Sequence, residues 1–157
     1  MTQNLRLTYR DINFDEIQLI KNLWEKNREF HINISSSFHF LYRDIVFEDR
    51  MKPFENMNQD NLKITIAQEN DIIIGYCLST INDYEGQMNT IHAQEEARGR
   101  GIGQKLMERH LKWMKEKECQ NISLHVSYEN ENTIAFYEGF GFRKNTIEMR
   151  RLSLIHI

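Results

Sequence analysis

The 157-residue sequence has few of the residues that break or cross-link a chain: one proline, two cysteines and seven glycines. Cys77 and Cys119 have neither the spacing of metal ligands nor the number that a disulfide framework requires. We expect both to be reduced thiols, which is typical of a cytoplasmic protein. Because no stretch rich in Gly, Ser or Pro marks a linker, residues 1–157 are predicted to form a single domain.

The composition also lacks the features that two classes of partner require. No apolar run approaches the roughly 18 residues that cross a bilayer, and the first residues do not have the pattern of a secretory signal. The net charge is −3, whereas a domain that binds nucleic acid usually has a basic face. We therefore predict neither a membrane nor a nucleic acid as a partner.

The sequence does contain a regular series of hydrophobic patterns. Period-two alternation indicates strands, and apolar residues at a period of 3.6 indicate helices. The order β-α-α-β-β-β-α-β-α-β predicts an α/β (α+β) fold: a mixed, largely antiparallel sheet with helices on both faces. Strands are predicted at residues 5–9, 62–68, 72–78, 87–93, 121–126 and 146–155, helices from about Asp15, after Ser35, at 102–114 and at 130–138, and a loop around Pro53 at about residues 50–60.

The segment 98–103, Arg-Gly-Arg-Gly-Ile-Gly, holds three of the seven glycines and opens a predicted amphipathic helix. A helix N-terminus presents unpaired backbone N–H groups and a partial positive charge. Glycines let a phosphate approach those N–H groups closely, and Arg98 and Arg100 add donors suited to phosphate. The segment therefore predicts an anion site, most naturally for a pyrophosphate.

Two familiar nucleotide-binding loops do not fit this segment. A Walker loop ends in Gly-Lys-Ser/Thr, but Gly103 is followed by Gln104 and Lys105. A Rossmann fingerprint could start at Gly99 and Gly101, but its last glycine position holds Gln104. A nucleotide-binding regulatory domain is therefore disfavoured, and a glycine-rich connector with two solvated arginines is the plainer alternative.

The pattern Arg-x-x-Gly-x-Gly, filled by Arg98, Gly101 and Gly103, resembles the acetyl-CoA motif of the GNAT superfamily of N-acetyltransferases. Residues 124–142 resemble a second GNAT motif at the family's spacing: Leu-His-Val-Ser, then Asn130, then Ala-Phe-Tyr-Glu-Gly-Phe-Gly-Phe. The order of the predicted elements fits the GNAT fold as well. Two motifs in the right order make this resemblance specific.

The resemblance implies that acetyl-CoA is the co-substrate and that the acceptor amine attacks its thioester directly in a ternary complex. In GNAT enzymes the fourth strand separates from the fifth and presents backbone N–H groups to the cofactor. The resemblance assigns Tyr137 to the departing thiolate, as the catalytic residue. It assigns cofactor binding to His92, Ala93, Arg98, Gly99, Arg100, Gly101, Ile102, Gly103 and Asn130, the last of which is also the expected N-cap of the final helix.

The general base is left open by the sequence. Asp83, Glu85 and His92 lie on or just before the predicted fourth strand, where the family often has its base, and His125 is a further candidate. Each is more commonly a solvated or hydrogen-bonded surface group. By resemblance, the first two helices, with His31, Phe38, His39 and Tyr42 in or beside them, lie where this superfamily commonly has its acceptor site, but these aromatic residues are interpreted as helix packing.

The predicted function is acetyl transfer to a primary amine of a small molecule, with a protein N-terminus or a lysine as second choice. The alternative is a non-catalytic module that binds or senses acyl-CoA on the same fold. The apolar C-terminal segment, residues 152–157, would either pair with a second copy, giving a homodimer, or complete the chain's own sheet. The pattern does not distinguish these two outcomes.

Overall fold

The computed structural model describes residues 6–94, residue 97 and residues 99–151. Within them the chain forms one five-stranded sheet and five α-helices, with short 3₁₀ segments before the first helix and before the second strand. The elements are β1 (Leu7–Ile12), α1 (Lys21–Ile34), α2 (His39–Arg43), α3 (Phe47–Glu55), β2 (Leu62–Glu69), β3 (Ile72–Asn82), β4 (Glu85–Ala93), α4 (Ile102–Glu116), β5 (Asn121–Leu124) and α5 (Glu131–Glu138).

The strands lie in the order β1-β2-β3-β4-β5. The first four form antiparallel pairs, whereas β5 pairs with β4 in parallel after the crossover through α4. Tight turns join β2 to β3 and β3 to β4, and in them Asn70 and Asp83 take positive φ values of 55° and 56°. The mixed, largely antiparallel sheet predicted from the sequence is confirmed.

Helices cover both faces of this sheet. One face packs against α1 and α3 in a core that includes Trp24, Phe47 and Tyr76. The other packs against α4 through Ile102 and Leu106. Alternate residues of each strand therefore belong to two different cores, as the period of two requires.

Two glycines allow α4 to lie close to the sheet. A Cβ atom at Gly75 on β3 would come within 2.8 Å of Ile102 Cγ2, and one at Gly86 on β4 within 2.8 Å of Met114 Sδ. Real Cβ contacts are not that short, so larger residues at these positions would push the helix outward. The two glycines thus define the position of the helix that follows the glycine-rich segment.

The predicted loop at about residues 50–60 is wrong in its first half, which belongs to α3. Phe47, Met51 and Phe54 recur at helical spacing and are all buried. Pro53 lies inside this helix, where it removes one backbone donor. The packing of three large side chains outweighs that loss, because each buried side chain of this size stabilises by about 1.5–3 kcal/mol.

The predicted final strand at residues 146–155 is also not formed where it can be assessed. Residues 146–151 have no regular secondary structure, and residues 152–155 lie outside the described part of the chain. The first strand begins at Leu7 and extends to Ile12, three residues beyond the predicted end at Tyr9. The alternation of apolar residues weakens after Tyr9, so pairing with β2 determines that end.

The chain divides into two compact units, residues 1–125 and 126–157. The first contains the whole sheet and α1 to α4, and the second contains α5. The assignment of residues 1–157 to a single domain stays a prediction. Among the described residues, the helices are too short or too polar to cross a membrane.

Candidate active site

The outer half of β4 extends beyond its partner β5. Their parallel pairing begins at Glu85 opposite Asn121 and ends at Met88 opposite Leu124, but β4 continues to Ala93. Residues 90–93 therefore pair with β3 on one edge and have no β5 partner on the other. The end of this pairing agrees with the separation of the fourth and fifth strands that the resemblance implied.

A register shift accompanies the separation. On β3, Leu78 and Ser79 are consecutive, but they lie opposite Thr90 and Met88, so Asn89 is the extra residue of a β-bulge. The Asn89 side chain donates hydrogen bonds to Thr80 Oγ1 at 2.9 Å and to the Gln87 carbonyl at 3.2 Å. Because a bulge bends and twists its strand, its position directly after the last β4–β5 pair agrees with the end of that pairing.

The ladder between β3 and β4 shows which amides face the unpaired edge. Gln94 donates its N–H to the carbonyl of Ile74 at 2.7 Å, so these two form a hydrogen-bonded pair. Alternation in an antiparallel ladder then directs the His92 N–H to β3 and the N–H groups of Ile91 and Ala93 to the other edge. Of the predicted pair His92 and Ala93, the second has its amide on the side available to a ligand.

The glycine-rich segment that follows adopts backbone conformations that only glycine accepts readily. Gly99 and Gly101 have φ values of 85° and 77°, and Gly101 is the N-cap residue of α4. A Cβ atom built at either glycine would meet no protein atom within 4 Å. The segment therefore needs glycine for its conformation, and the space beside it suits an incoming group such as a phosphate.

The other residues of this segment that were predicted to bind the cofactor differ in how accessible they are to a ligand. Arg98 lies outside the described residues. The Arg100 guanidinium pairs with both carboxylate oxygens of Glu69 at the end of β2, and this hydrogen bonding lowers the pKa of Glu69. The Ile102 side chain is 2% exposed and packs in the core, so only its backbone is available to a ligand, and Gly103 continues the first turn of α4.

Asn130 and Tyr137 belong to the second unit. Asn130 lies at the N-cap position of α5, as predicted, but its side chain forms no capping hydrogen bond. Tyr137 is 9% exposed, and its ring meets those of Phe136 and Phe142 edge to face, with centroid distances of 5.5 and 6.1 Å. The roles assigned to these two residues by resemblance stay predictions.

The candidates for the general base lie at different ends of β4. Asp83 and Glu85 are exposed at its start, and Glu85 is about 26 Å from Ala93 along an extended strand. His92 lies half-buried on the outer half of β4, and His125 is exposed just after β5. Of the four, His92 alone lies on the stretch where β4 has separated from β5.

A cavity of ≈ 520 Å³ lies beside the bulge, on the face of the sheet that α1 covers. Residues from α1, from the segment around α2 and α3, and from β4 form its walls. They are Trp24, Asn27, Arg28, His31, Tyr42, Asp44, Ile45, Val46, Asp49, Arg50, Asn89 and Thr90. The sequence alone did not define this site, because its walls come from three separated segments.

Two residues on the wall of this cavity each have an unsatisfied buried side-chain atom. Among the residues that the structure describes, buried side-chain nitrogen or oxygen atoms without a hydrogen-bond partner are Arg28 Nε and His31 Nδ1. The His31 ring stacks on Tyr42 at 5.5 Å, and burial lowers its pKa, so His31 is neutral at pH 7. The interpretation of His31 and Tyr42 as packing alone is therefore incomplete, since both line a cavity.

The opposite face of the sheet contains a polar network that is fully paired. His110 on α4 is completely buried, with Nδ1 2.7 Å from Ser79 Oγ and Nε2 2.9 Å from Thr65 Oγ1. The Thr65 hydroxyl donates to Asp11 at 2.6 Å, so it accepts from His110 Nε2–H, and the Ser79 hydroxyl donates to Nδ1. Burial, together with the charges of Lys63 and Arg109, lowers the pKa of His110 to about 3, although Asp11 acts in the opposite direction.

Comparison with known proteins places this geometry among acetyltransferases. A model of the acetyltransferase (GNAT) family matches residues 20–142. The structure is similar to that of AAC(6')-Iy in complex with the bisubstrate analogue CoA-S-monomethyl-acetylneamine, with a TM-score of 0.68 and 18% identity over 94% of this chain and 99% of that one.

Two further solved structures have the same fold. An aminoglycoside acetyltransferase from an uncultured soil metagenomic sample, in complex with sisomicin, has a TM-score of 0.69 and 14% identity over 94% of this chain and 96% of that one. A putative acetyl transferase from Pyrococcus furiosus has a TM-score of 0.72 and 21% identity over 94% and 100%. At these identities the likeness extends to the fold alone.

Proposed function

Since the chain belongs to the acetyltransferase (GNAT) family, we propose that it is an acetyl-CoA-dependent N-acetyltransferase whose acceptor is a primary amine of a small molecule. A protein N-terminus or a lysine is the second choice of acceptor. The observation that supports the proposal most directly is the outer half of β4, which extends beyond β5 and has the glycine-rich segment at its end and the cavity at its bulge.

The glycine-rich segment and the outer half of β4 would hold acetyl-CoA. The backbone at Gly99 and Gly101 is open to a pyrophosphate, and the amide of Ala93 faces the unpaired edge of β4. Arg100 could contribute after exchanging Glu69 for a phosphate, since both partners are anionic. Solved relatives of this fold have been crystallised with CoA and with a CoA bisubstrate analogue, which agrees with this assignment.

The cavity beside the bulge would hold the acceptor. It reaches β4 at Asn89 and Thr90, immediately before the stretch whose amides face the unpaired edge. Both substrates would then meet along one strand, which is what direct attack in a ternary complex requires. The AAC(6')-Iy bisubstrate analogue joins CoA to an aminoglycoside, so in that relative the two ligands are adjacent.

The reaction forms the N–C bond of the amide and breaks the C–S bond of the thioester. Of the three protons of the acceptor ammonium, one stays on the amide nitrogen, one is taken up by the thiolate and one is released. Backbone amides at the unpaired edge of β4 would stabilise the oxyanion. Tyr137 would donate a hydrogen bond to the thiolate, since an ordinary phenol has a pKa near 10 and a thiol one near 8.5.

The first test is calorimetric titration of the protein with acetyl-CoA, with ATP and NAD as controls. We expect selective binding of acetyl-CoA with a Kd of about micromolar, because the loop fits a pyrophosphate but lacks both nucleotide fingerprints. Absence of binding would remove every catalytic role proposed above. Binding without release of thiol in the presence of any amine would favour the acyl-CoA-sensing alternative.

The role of Tyr137 is tested by Tyr137→Phe, with Tyr128→Phe as the matched control in the same unit. Tyr128 is 67% exposed, so its hydroxyl should be dispensable. Loss of a hydrogen bond to the departing thiolate should lower kcat by about tenfold or more and leave acetyl-CoA affinity unchanged. If the two variants turn over at equal rates, Tyr137 has a packing role only.

A further inference from the structure

The cavity beside the bulge contains charged side chains of both signs. Arg28 and Arg50 contribute guanidinium groups, and Asp44 and Asp49 contribute carboxylates. Within the described residues none of these four side chains takes part in a salt bridge, although six salt bridges form elsewhere. Opposite charges that share a cavity without pairing are available to a ligand.

Arg28 is the most constrained of the four. Its Nη1 donates to the carbonyl of Ile45 at 2.7 Å, and its guanidinium carbon lies 5.7 Å from the centre of the Trp24 ring. These two contacts hold the side chain in place, but Nε is buried without an acceptor and no carboxylate of the described chain pairs with the group. A half-buried guanidinium without an anion is unfavourable, and its planar fork matches a carboxylate.

His31, on the same wall, also has an unsatisfied buried atom. Arg28 and His31 are three residues apart on α1, so their side chains project from the same face of the helix. No other buried side-chain nitrogen or oxygen of the described residues lacks a partner. Because buried polar groups are nearly always paired, two such residues on one wall distinguish this cavity as a candidate polar site.

We propose that the acceptor is amphoteric, with a carboxylate that binds Arg28 and a primary ammonium that Asp44 or Asp49 attracts. This inference rests on the proposed function and narrows its substrate class to amino acids and related amino carboxylates. The side chain of such an acceptor would contact Trp24 and Tyr42, which form the aromatic part of the wall. A polycationic acceptor is disfavoured, because Arg28 and Arg50 would repel its additional ammonium groups.

The test compares acceptors that differ only in the carboxylate. Candidate pairs are L-phenylalanine with 2-phenylethylamine, L-methionine with 3-(methylthio)propylamine, and L-lysine with cadaverine, and sisomicin serves as the polycation. We expect kcat/KM for at least one amino acid to exceed that of its amine by about tenfold or more, chiefly through KM. Preference for the amines or for sisomicin in every comparison would overturn the proposal.

Variants of Arg28 locate the origin of that preference. Arg28→Gln should reduce the ratio between acid and amine to near one, and Arg28→Lys should restore it only in part, because lysine keeps the charge but not the fork. Lys26→Gln, on the same helix but exposed and outside the cavity, should keep the full ratio. A ratio that Arg28→Gln leaves unchanged would contradict the assignment of the carboxylate to Arg28.

Two measurements separate this inference from the proposed function. Acetyl-CoA affinity, measured by calorimetry for each variant, shows whether the fold and the cofactor site are intact. Titration of the same acceptor pairs into the CoA-loaded protein gives the preference without turnover. If acetyl-CoA binds and no amino carboxylate in either assay outperforms its amine, the amphoteric acceptor is wrong while the acetyltransferase assignment stands.

Discussion

The two faces of the sheet differ in how their buried polar groups are paired. Under α4, His110 bonds through both ring nitrogens, and the Thr65 hydroxyl that it contacts also bonds to Asp11. Under α1, the side chains of Arg28 and His31 each have a buried nitrogen with no partner. Both faces have a large apolar core, so the difference lies in the polar groups and not in hydrophobic burial.

This difference indicates that the two faces of the sheet have different functions. A fully paired buried network rigidifies its surroundings, and here it lies on the helix whose N-terminus follows the glycine-rich segment. Unpaired groups around a cavity cost stability until a ligand pairs them, which is typical of functional sites. We therefore interpret the α4 face as the support of the cofactor site and the α1 face as the acceptor side.

The largest effect is expected at Gly101. Gly101→Val should abolish measurable acetyl-CoA binding, raising Kd by about a hundredfold or more, because it fills the space for a phosphate and strains a backbone with φ of 77°. Gly141→Val is the matched control, since Gly141 has φ of 94° and equally open surroundings. Calorimetry measures the acetyl-CoA affinity of both variants. Equal affinities would contradict the assignment of the cofactor site to the α4 face.

A smaller effect, on stability, is expected at His110. His110→Leu should lower the free energy of unfolding by about 2–4 kcal/mol, because the buried Ser79 hydroxyl loses the ring nitrogen to which it donates and the buried Thr65 hydroxyl loses its donor. Urea denaturation at pH 7 measures this change. Lys112→Leu, at an exposed position of the same helix, should change stability by no more than about 0.5 kcal/mol.

The variant His110→Leu should also reduce the pH dependence of the free energy of unfolding. The pKa of His110 is about 3 in the folded protein and 6.5 in the unfolded chain, so between these values only the unfolded chain takes up the proton. His110 therefore stabilises the fold fully above pH 6.5, and this contribution falls by about 1.4 kcal/mol per pH unit as the pH decreases toward 3. If the free energy of unfolding of His110→Leu changes with pH as steeply as that of the wild type, groups other than His110 cause this pH dependence.

The smallest effect is expected for the same substitution on the other face. His31→Leu should change the free energy of unfolding by less than about 1 kcal/mol, or increase it, because Nδ1 of His31 has no partner to lose. Urea denaturation of this variant beside His110→Leu compares the two faces directly. A loss at His31 as large as that at His110 would mean that the faces do not differ.

Local signals allowed much of this protein to be predicted. The alternation of β2, β3 and β4 and the stripe of α4 lie within single elements, so residues a few positions apart were sufficient to identify them. The segment around Gly99 and Gly101 could be predicted equally well, since glycines that open a helix indicate the positive φ values that both residues have. The helix α3 was missed because Pro53 and its charged neighbours obscured the spacing of its buried residues.

The acceptor side could not be predicted in the same way. Arg28 and Asp49 lie on different helices, and Asn89 lies on β4, so only the packing of α1 and α3 on the sheet assembles the cavity. The sequence likewise shows His110 merely as a member of an apolar stripe. Its partners Ser79 and Thr65 are separated from it by 31 and 45 positions in the chain.

The sequence by itself determined the order of the five strands and of the helices α1, α2, α4 and α5, the family resemblance and the position of the glycine-rich segment. These depend on periodicity and on backbone preference, which act between neighbours along the chain. The tertiary structure alone decided where β4 leaves β5, which amides face the free edge and which charges share a cavity. Those features depend on contacts between distant segments, and such contacts exist only after the chain has packed around its sheet.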